Sequence, residues 1–156
     1  MLDLEEAKTE ALKTDVLIIG GGIAGCHAAI KARESGLDVV LVDKGSVGRS
    51  GLSPCMSGMM TYFDPEKDDY EAAYKECVEE GEWINDQHCL EGMIYETTDR
   101  VKDMDGWGAA FQKEGGGLVQ GRTVGGEAVK AARMTHGGLQ LMLALRGEAL
   151  RYGVSV

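Results

Sequence analysis

Two short runs of aliphatic, mostly β-branched residues, Val16-Leu-Ile-Ile19 and Val39-Val-Leu-Val42, stand near the start of the chain. Each is bounded by glycine or acid; the first reads as a short buried strand and the second as another strand. Between them the pattern turns helical from Ile23 to Ser35, with Ala24, Ala28, Ala29 and Ala32 as strong helix formers and Gly36 as the stop. Further on, Tyr70, Ala73, Tyr74, Cys77 and Val78 make an apolar stripe that predicts a helix ending near Glu80. Its start is predicted at Asp64, as a cap, with Pro65 in the first helical position. A second helix is expected after Asn85, carrying Leu90, Met93, Ile94, Thr97 and Val101 to about Met104. A last one runs from a cap at Thr135 or His136 through Leu139, Met142, Leu143, Leu145, Ala149 and Leu150 to Gly153. The glycine-rich stretch 107–122 reads as loop with short strands, and Val154-Ser-Val156 as the start of another strand.

The junction between the first strand and the first helix carries the chemistry. Gly20, Gly22 and Gly25 have the spacing G-x-G-x-x-G. In that pattern the first glycine permits a tight turn, the second lets backbone approach a pyrophosphate, and the third lets helix and strand pack closely. The helix N-terminus adds free N–H groups and partial positive charge. Asp43 follows at the end of the second run, where a carboxylate can accept hydrogen bonds from an adenosine ribose. Strand, glycine turn, helix, strand and acid in this order point to a bound dinucleotide. The residues alone leave a flavin and a nicotinamide dinucleotide both open.

Composition narrows the picture. The 156 residues suffice for one domain or part of one, and 44% hydrophobic with 27% charged residues is ordinary for a globular protein. The 23 glycines are about twice the usual share, which suits loops that approach a ligand. A net charge of −10 argues against nucleic-acid or anionic-membrane partners. The N-terminus has no signal-peptide pattern, and no run reaches the length of a membrane span, so a cytoplasmic protein is expected. Residues 1–13 read as a polar lead-in. Cys26, Cys55, Cys77 and Cys89 show no metal or redox spacing, so reduced thiols and no metal site are expected. Cys26 falls in the first helical turn, where a thiol's pKa can drop, but packing is the commoner fate.

With these segments in place, the chain resembles the N-terminal part of the fumarate reductase/succinate dehydrogenase flavoprotein family, which includes L-aspartate oxidase and the adenylylsulfate reductase flavoprotein subunit. Thr14 to Gly25 is similar to that family's FAD-binding start, and Val42-Asp-Lys44 to its strand end. Arg49-Ser50 followed by Ser57-Gly58 resembles the loop that lines the flavin. Glu80 to Asp86, followed by a helix through Thr98-Asp-Arg-Val101, resembles its paired helices. The resemblance implies an α/β, Rossmann-like FAD-binding domain with a parallel sheet, incomplete over residues 14–156 and without the capping domain. It implies FAD rather than a nicotinamide cofactor. Gly20, Gly22 and Gly25 would hold the diphosphate, Asp43 the ribose and Lys44 the region near the adenosine. Arg49, Ser50, Gly51, Ser57 and Gly58 would line the ribityl and flavin region.

Many relatives attach FAD through a histidine directly after the arginine–serine pair, where this chain has Gly51, so non-covalent FAD is implied. His27, His88 and His136 match no catalytic position, and no catalytic residue is named. The parent would move a hydride between a small-molecule substrate and flavin N5. An iron–sulfur or other electron-transfer subunit is the implied partner, and such a partner could hold the protein at a membrane. The alternatives are a non-catalytic dinucleotide-binding or electron-transfer module of a larger assembly, and a nicotinamide-binding domain.

Overall fold

The computed structural model describes residues 11–64, 66–122 and 127–156. Most of the expected polar lead-in and the expected role of Pro65 therefore lie outside the described residues. Strand β1 (Val16–Ile19) leads into helix α1 (Ile23–Glu34), which returns the chain to β2 (Val39–Val42). The two strands pair in parallel, Val16 with Val39 through Ile19 with Val42. Helix α1 ends in a Schellman motif. Gly36, at φ +81°, donates to Arg33, and Leu37 donates to Ala32, which satisfies carbonyls that the last turn leaves open.

Beyond β2 a loop with a 3-10 turn at Ser53–Cys55 leads to β3 (Met59–Thr61). Helices α2 (Tyr70–Glu80) and α3 (Gln87–Gly106) follow, then a hairpin of β4 (Lys113–Glu114) and β5 (Gly117–Leu118). Strands β6 (Gln120–Arg122) and β7 (Lys130–Arg133) complete an antiparallel sheet in the order β3-β7-β6. Helix α4 (Gly137–Arg151) repeats the closing motif of α1, with Gly153 donating to Leu150 and Val154 to Ala149. It delivers Ser155 to a parallel bridge with Val40, so the expected terminal strand lies beside β2.

Two expectations are corrected. Helix α2 begins at Tyr70, not near Asp64. Its cap is Asp69, which accepts from the N–H groups of Glu71 and Ala72. Asp64 instead closes a separate turn, accepting from the backbone of Glu66 while Asp68 accepts from the backbone of Asp64. The first strand is not buried on both faces. Val16 and Ile18 pack on the core, whereas Leu17 and Ile19 point outward, Ile19 being 81% exposed. The expected parallel pairing is present in β1, β2 and the Ser155 bridge, and the remaining strands among the described residues pair antiparallel.

The main core gathers Cys26, Ala29 and Ile30 of α1, Leu41 of β2, and Leu141, Met142, Leu145 and Ala149 of α4. These side chains are at or near zero exposure, and each large aliphatic one contributes about 1.5–3 kcal/mol of burial. A smaller cluster of Phe63, Ala73, Ile94 and Val129 joins α2 and α3 to the antiparallel sheet. Glu76 of α2 reinforces that joint by accepting from the backbone N–H groups of Glu127, Ala128 and Val129. Among the described residues no helix is long and apolar enough to cross a membrane.

Candidate functional site: a glycine turn at a helix N-terminus

The turn from β1 to α1 shows what each glycine does. Gly20 sits at φ +112°, a conformation that L side chains rarely adopt. A Cβ on Gly25 would lie 1.8 Å from the carbonyl oxygen of Gly20, so only glycine lets the helix come this close to the strand. A Cβ on Gly22 would meet the Ser53 hydroxyl at 3.0 Å. Gly21, which the spacing does not single out, is as restricted as its neighbours. A Cβ there would lie 2.8 Å from Cα of Val47, because the loop after β2 folds back over the turn.

Helix α1 is left open to an anion. Its N-cap, Gly22, brings no side chain, and its first turn holds no acid. Helices α2 and α3, by contrast, are capped by Asp69 and Asp86. The Ile23 N–H reaches the Ser53 hydroxyl at 3.3 Å, a long contact. The following N–H groups of the first turn have no intrahelical acceptor, and the helix dipole adds partial positive charge where they point.

Asp43 stands at the end of β2 with both carboxylate oxygens engaged. Oδ2 accepts from the Gly21 N–H at 2.7 Å, and Oδ1 accepts from the Gly45 N–H at 2.8 Å and from the Ser50 hydroxyl at 2.7 Å. These bonds, the one from Gly21 first, hold the carboxyl below the usual carboxylate range. An ionised carboxylate has about four acceptor positions. Three are used within the protein, which leaves room for one ribose hydroxyl.

The loop from Lys44 to Gly58 is shaped rather than loose. Gly48 N–H donates to the Gly21 carbonyl at 3.0 Å, and Val47 is buried. Ser50 is turned toward Asp43 and the Ser46 carbonyl. Lys44 and Arg49 are exposed, and neither has an ion-pair partner among the described residues. Gly51 (φ +78°) and Ser57 are exposed, whereas Gly58 (φ +96°) is buried, with Gly137 Cα 3.2 Å from where its Cβ would be. The ten residues singled out by sequence thus form two groups. Gly20, Gly22, Gly25, Asp43, Lys44 and Ser50 gather around the turn. Gly51, Ser57 and Gly58 follow along the loop toward the start of α4, with Arg49 between. His136, the N-cap of α4, is adjacent to this second group in the fold through Gly137.

The thiol of Cys26 is fully buried and lies 3.6 Å from the Gly21 carbonyl. Burial pushes its pKa up to about 11, outweighing the positive charge of Arg146. Proximity to the helix N-terminus therefore does not activate it. His27 is half-buried against Trp107, ring centroids 5.0 Å apart, and burial, with Arg100 and Lys31 nearby, depresses its pKa. It lines a mostly apolar groove of about 910 Å³ that starts at Ile23 and Ala24 and runs along α3 past Tyr95 and Arg100.

The arrangement has the features a dinucleotide needs: a steric gap kept by Gly25, an uncapped helix end without acids, and an ionised carboxylate beside it. The model of the FAD binding domain family matches residues 15–156. One component of the fumarate reductase (CoM/CoB) of Methanothermobacter marburgensis is 32% identical over 151 residues, which covers 92% of this chain and 27% of that protein. The apo Sdh1 complex of Mycobacterium smegmatis superposes with a TM-score of 0.79 at 27% identity, covering 86% of this chain and 23% of that one. Adenylylsulfate reductase of Archaeoglobus fulgidus shares the fold, with a TM-score of 0.74 at 24% identity over 96% of this chain and 24% of that one. The chain spans about a quarter of the length of these proteins. By sequence and by fold, it belongs to the FAD-binding domain family found in fumarate reductase and succinate dehydrogenase flavoproteins.

Proposed function

We propose that residues 14–156 are the N-terminal part of the FAD-binding domain of a flavoprotein oxidoreductase of the fumarate reductase/succinate dehydrogenase type, holding FAD without a covalent bond. When bound, the flavin supplies the redox chemistry, exchanging a hydride with a small substrate at N5. The chain's own residues bind and orient it. Gly20, Gly22 and Gly25 bring the first turn of α1 against the diphosphate, and Asp43 offers its remaining acceptor position to the adenosine ribose. Lys44 and Arg49 add positive charge along the way. Ser50, Gly51, Ser57 and Gly58 form the wall for the ribityl chain and the ring system. With Gly51 after Ser50, no imidazole follows the arginine–serine pair to make a covalent link. Electrons would pass to or from an iron–sulfur or other electron-transfer subunit.

The observation that carries this reading is the 1.8 Å clash that a Cβ on Gly25 would make with the Gly20 carbonyl oxygen, so that only glycine brings the first turn of α1 this close to the strand end beside Asp43. The test is titration of the full-length apoprotein with FAD, followed by acid precipitation. Visible flavin absorption on titration, with the flavin released into the acid supernatant, is expected. Failure to take up FAD would overturn the reading, and flavin retained in the pellet would overturn its non-covalent part.

A further inference from the structure

A cleft of about 320 Å³ opens at the carboxyl ends of β2 and the Val154–Val156 segment, lined by Asp43, Ser46, Val47, Val156 and Arg146 of α4. Ligands of open parallel sheets bind at this edge. Arg146 is the basic residue of its lining. The stem of the side chain is pinned, since a Cβ on Gly48 would lie 3.1 Å from Arg146 Cβ and 3.2 Å from its Cδ. The residue is partly buried, and its guanidinium has no hydrogen-bond or ion-pair partner among the described residues. Arg33, Arg100, Arg122 and Arg151 each pair with an acid, whereas Arg49 and Arg133, like Arg146, have no ion-pair partner among the described residues, and of these three only Arg146 lines the cleft. The guanidinium's donors are therefore free to meet a ligand in the cleft.

The chemistry of the cleft selects the ligand. Asp43 lines the same space yet forms no ion pair with Arg146, because its carboxylate is turned to Gly21, Gly45 and Ser50. An additional phosphate here would face that carboxylate at close range. A neutral, flat, nitrogen-rich ring would not. A guanidinium stacks on aromatic faces and donates to ring nitrogens, and a lysine ammonium in its place lacks the planar surface.

We infer that Arg146 is the positioning residue for the adenine of the dinucleotide, its guanidinium lying against the base while Asp43 takes the ribose. This rests on the reading of the site as an FAD site and adds a residue and a role to it. The test uses the full-length apoprotein and Arg146→Met, which keeps an aliphatic stem on Gly48 and removes only the head. FAD is titrated directly, and ADP is titrated as a probe of the adenosine end alone. The expected result is at least tenfold weaker binding of both FAD and ADP by the variant, with an unchanged melting temperature of the apoprotein.

Unchanged FAD affinity in Arg146→Met would overturn the inference and leave the FAD reading standing. Weakened FAD with unchanged ADP would overturn it by moving the effect away from the adenosine. A melting temperature that falls in step with affinity would assign Arg146 to packing and overturn it as well. A wild-type apoprotein that binds no FAD removes both the reading and the inference.

Discussion

The carboxylate of Asp43 accepts a hydrogen bond from the backbone N–H of Gly21 at 2.7 Å, joining the end of β2 to the turn that follows β1. The acid is therefore a latch on the glycine turn as well as a candidate ligand for the ribose. Asp43→Asn keeps the shape but can turn an amide N–H₂ toward the donors that now surround it. We expect faster hydrogen exchange at Gly21, Gly45 and Gly48 and weaker FAD binding, read by mass spectrometry and by titration. Unaltered exchange in this segment would show that the latch holds nothing in place.

Gly25 and Gly92 make a matched pair of helical glycines. At Gly92 nothing lies within 4 Å of an added Cβ, so Gly92→Ala stabilises by about 0.5–1 kcal/mol through helix propensity. At Gly25 the 1.8 Å approach to Gly20 dominates. Gly25→Ala is expected to cost about 1–3 kcal/mol through overpacking. Its FAD affinity should drop by at least about tenfold. Thermal melts and FAD titrations of the two variants, side by side, give opposite signs if the gap is real.

Glu76 ties α2 to the chain entering β7 through three backbone N–H groups, and these bonds hold its carboxyl below the usual range. A depressed folded pKa means stability that is fully present above the unfolded value, about 4.3. It is lost as pH falls through the folded pKa. Glu76→Ala should destabilise by about 1 kcal/mol at pH 7. The difference from wild type should shrink in chemical denaturation below about pH 4. A pH-independent difference would assign the effect to packing of the side chain.

The thiols should separate by reactivity. With a pKa of about 11 and no exposure, Cys26 is thiolate in roughly one molecule in a thousand at pH 8. Cys55 and Cys89 are exposed. Iodoacetamide on the native protein should label those two and spare Cys26, as peptide mapping would show. Early labelling of Cys26 would mean that the first turn of α1 opens readily.

The order strand, turn, helix, strand was legible because period and glycine placement are local signals, and β1, α1 and β2 fall where these put them. What was not legible depends on approach in space. Gly21 looks like spacer until Val47 folds onto it. Strand β7, Lys-Ala-Ala-Arg, has the composition of a helix and becomes a strand only because β3 and β6 flank it. The start of α2 shifted because Asp64 and Asp68 bond to backbone before the helix begins, leaving Asp69 to cap it. Nothing local marks Arg146, whose surroundings come from the loop after β2 and from Val156.

Helix α4 bears on the loop after β2 twice. A Cβ on Gly138 would lie 2.1 Å from the Ser53 carbonyl, and the Arg146 stem lies against Gly48. In the proposed FAD site the grip on the diphosphate would be assembled from residues close in sequence, whereas the wall offered to the ring system would take its form from a helix far downstream. On that proposal, loosening the helix at its N-terminal end would leave a nucleotide anchored by its tail while the reactive end lost its bearings, so retention of the cofactor and its alignment would be separable.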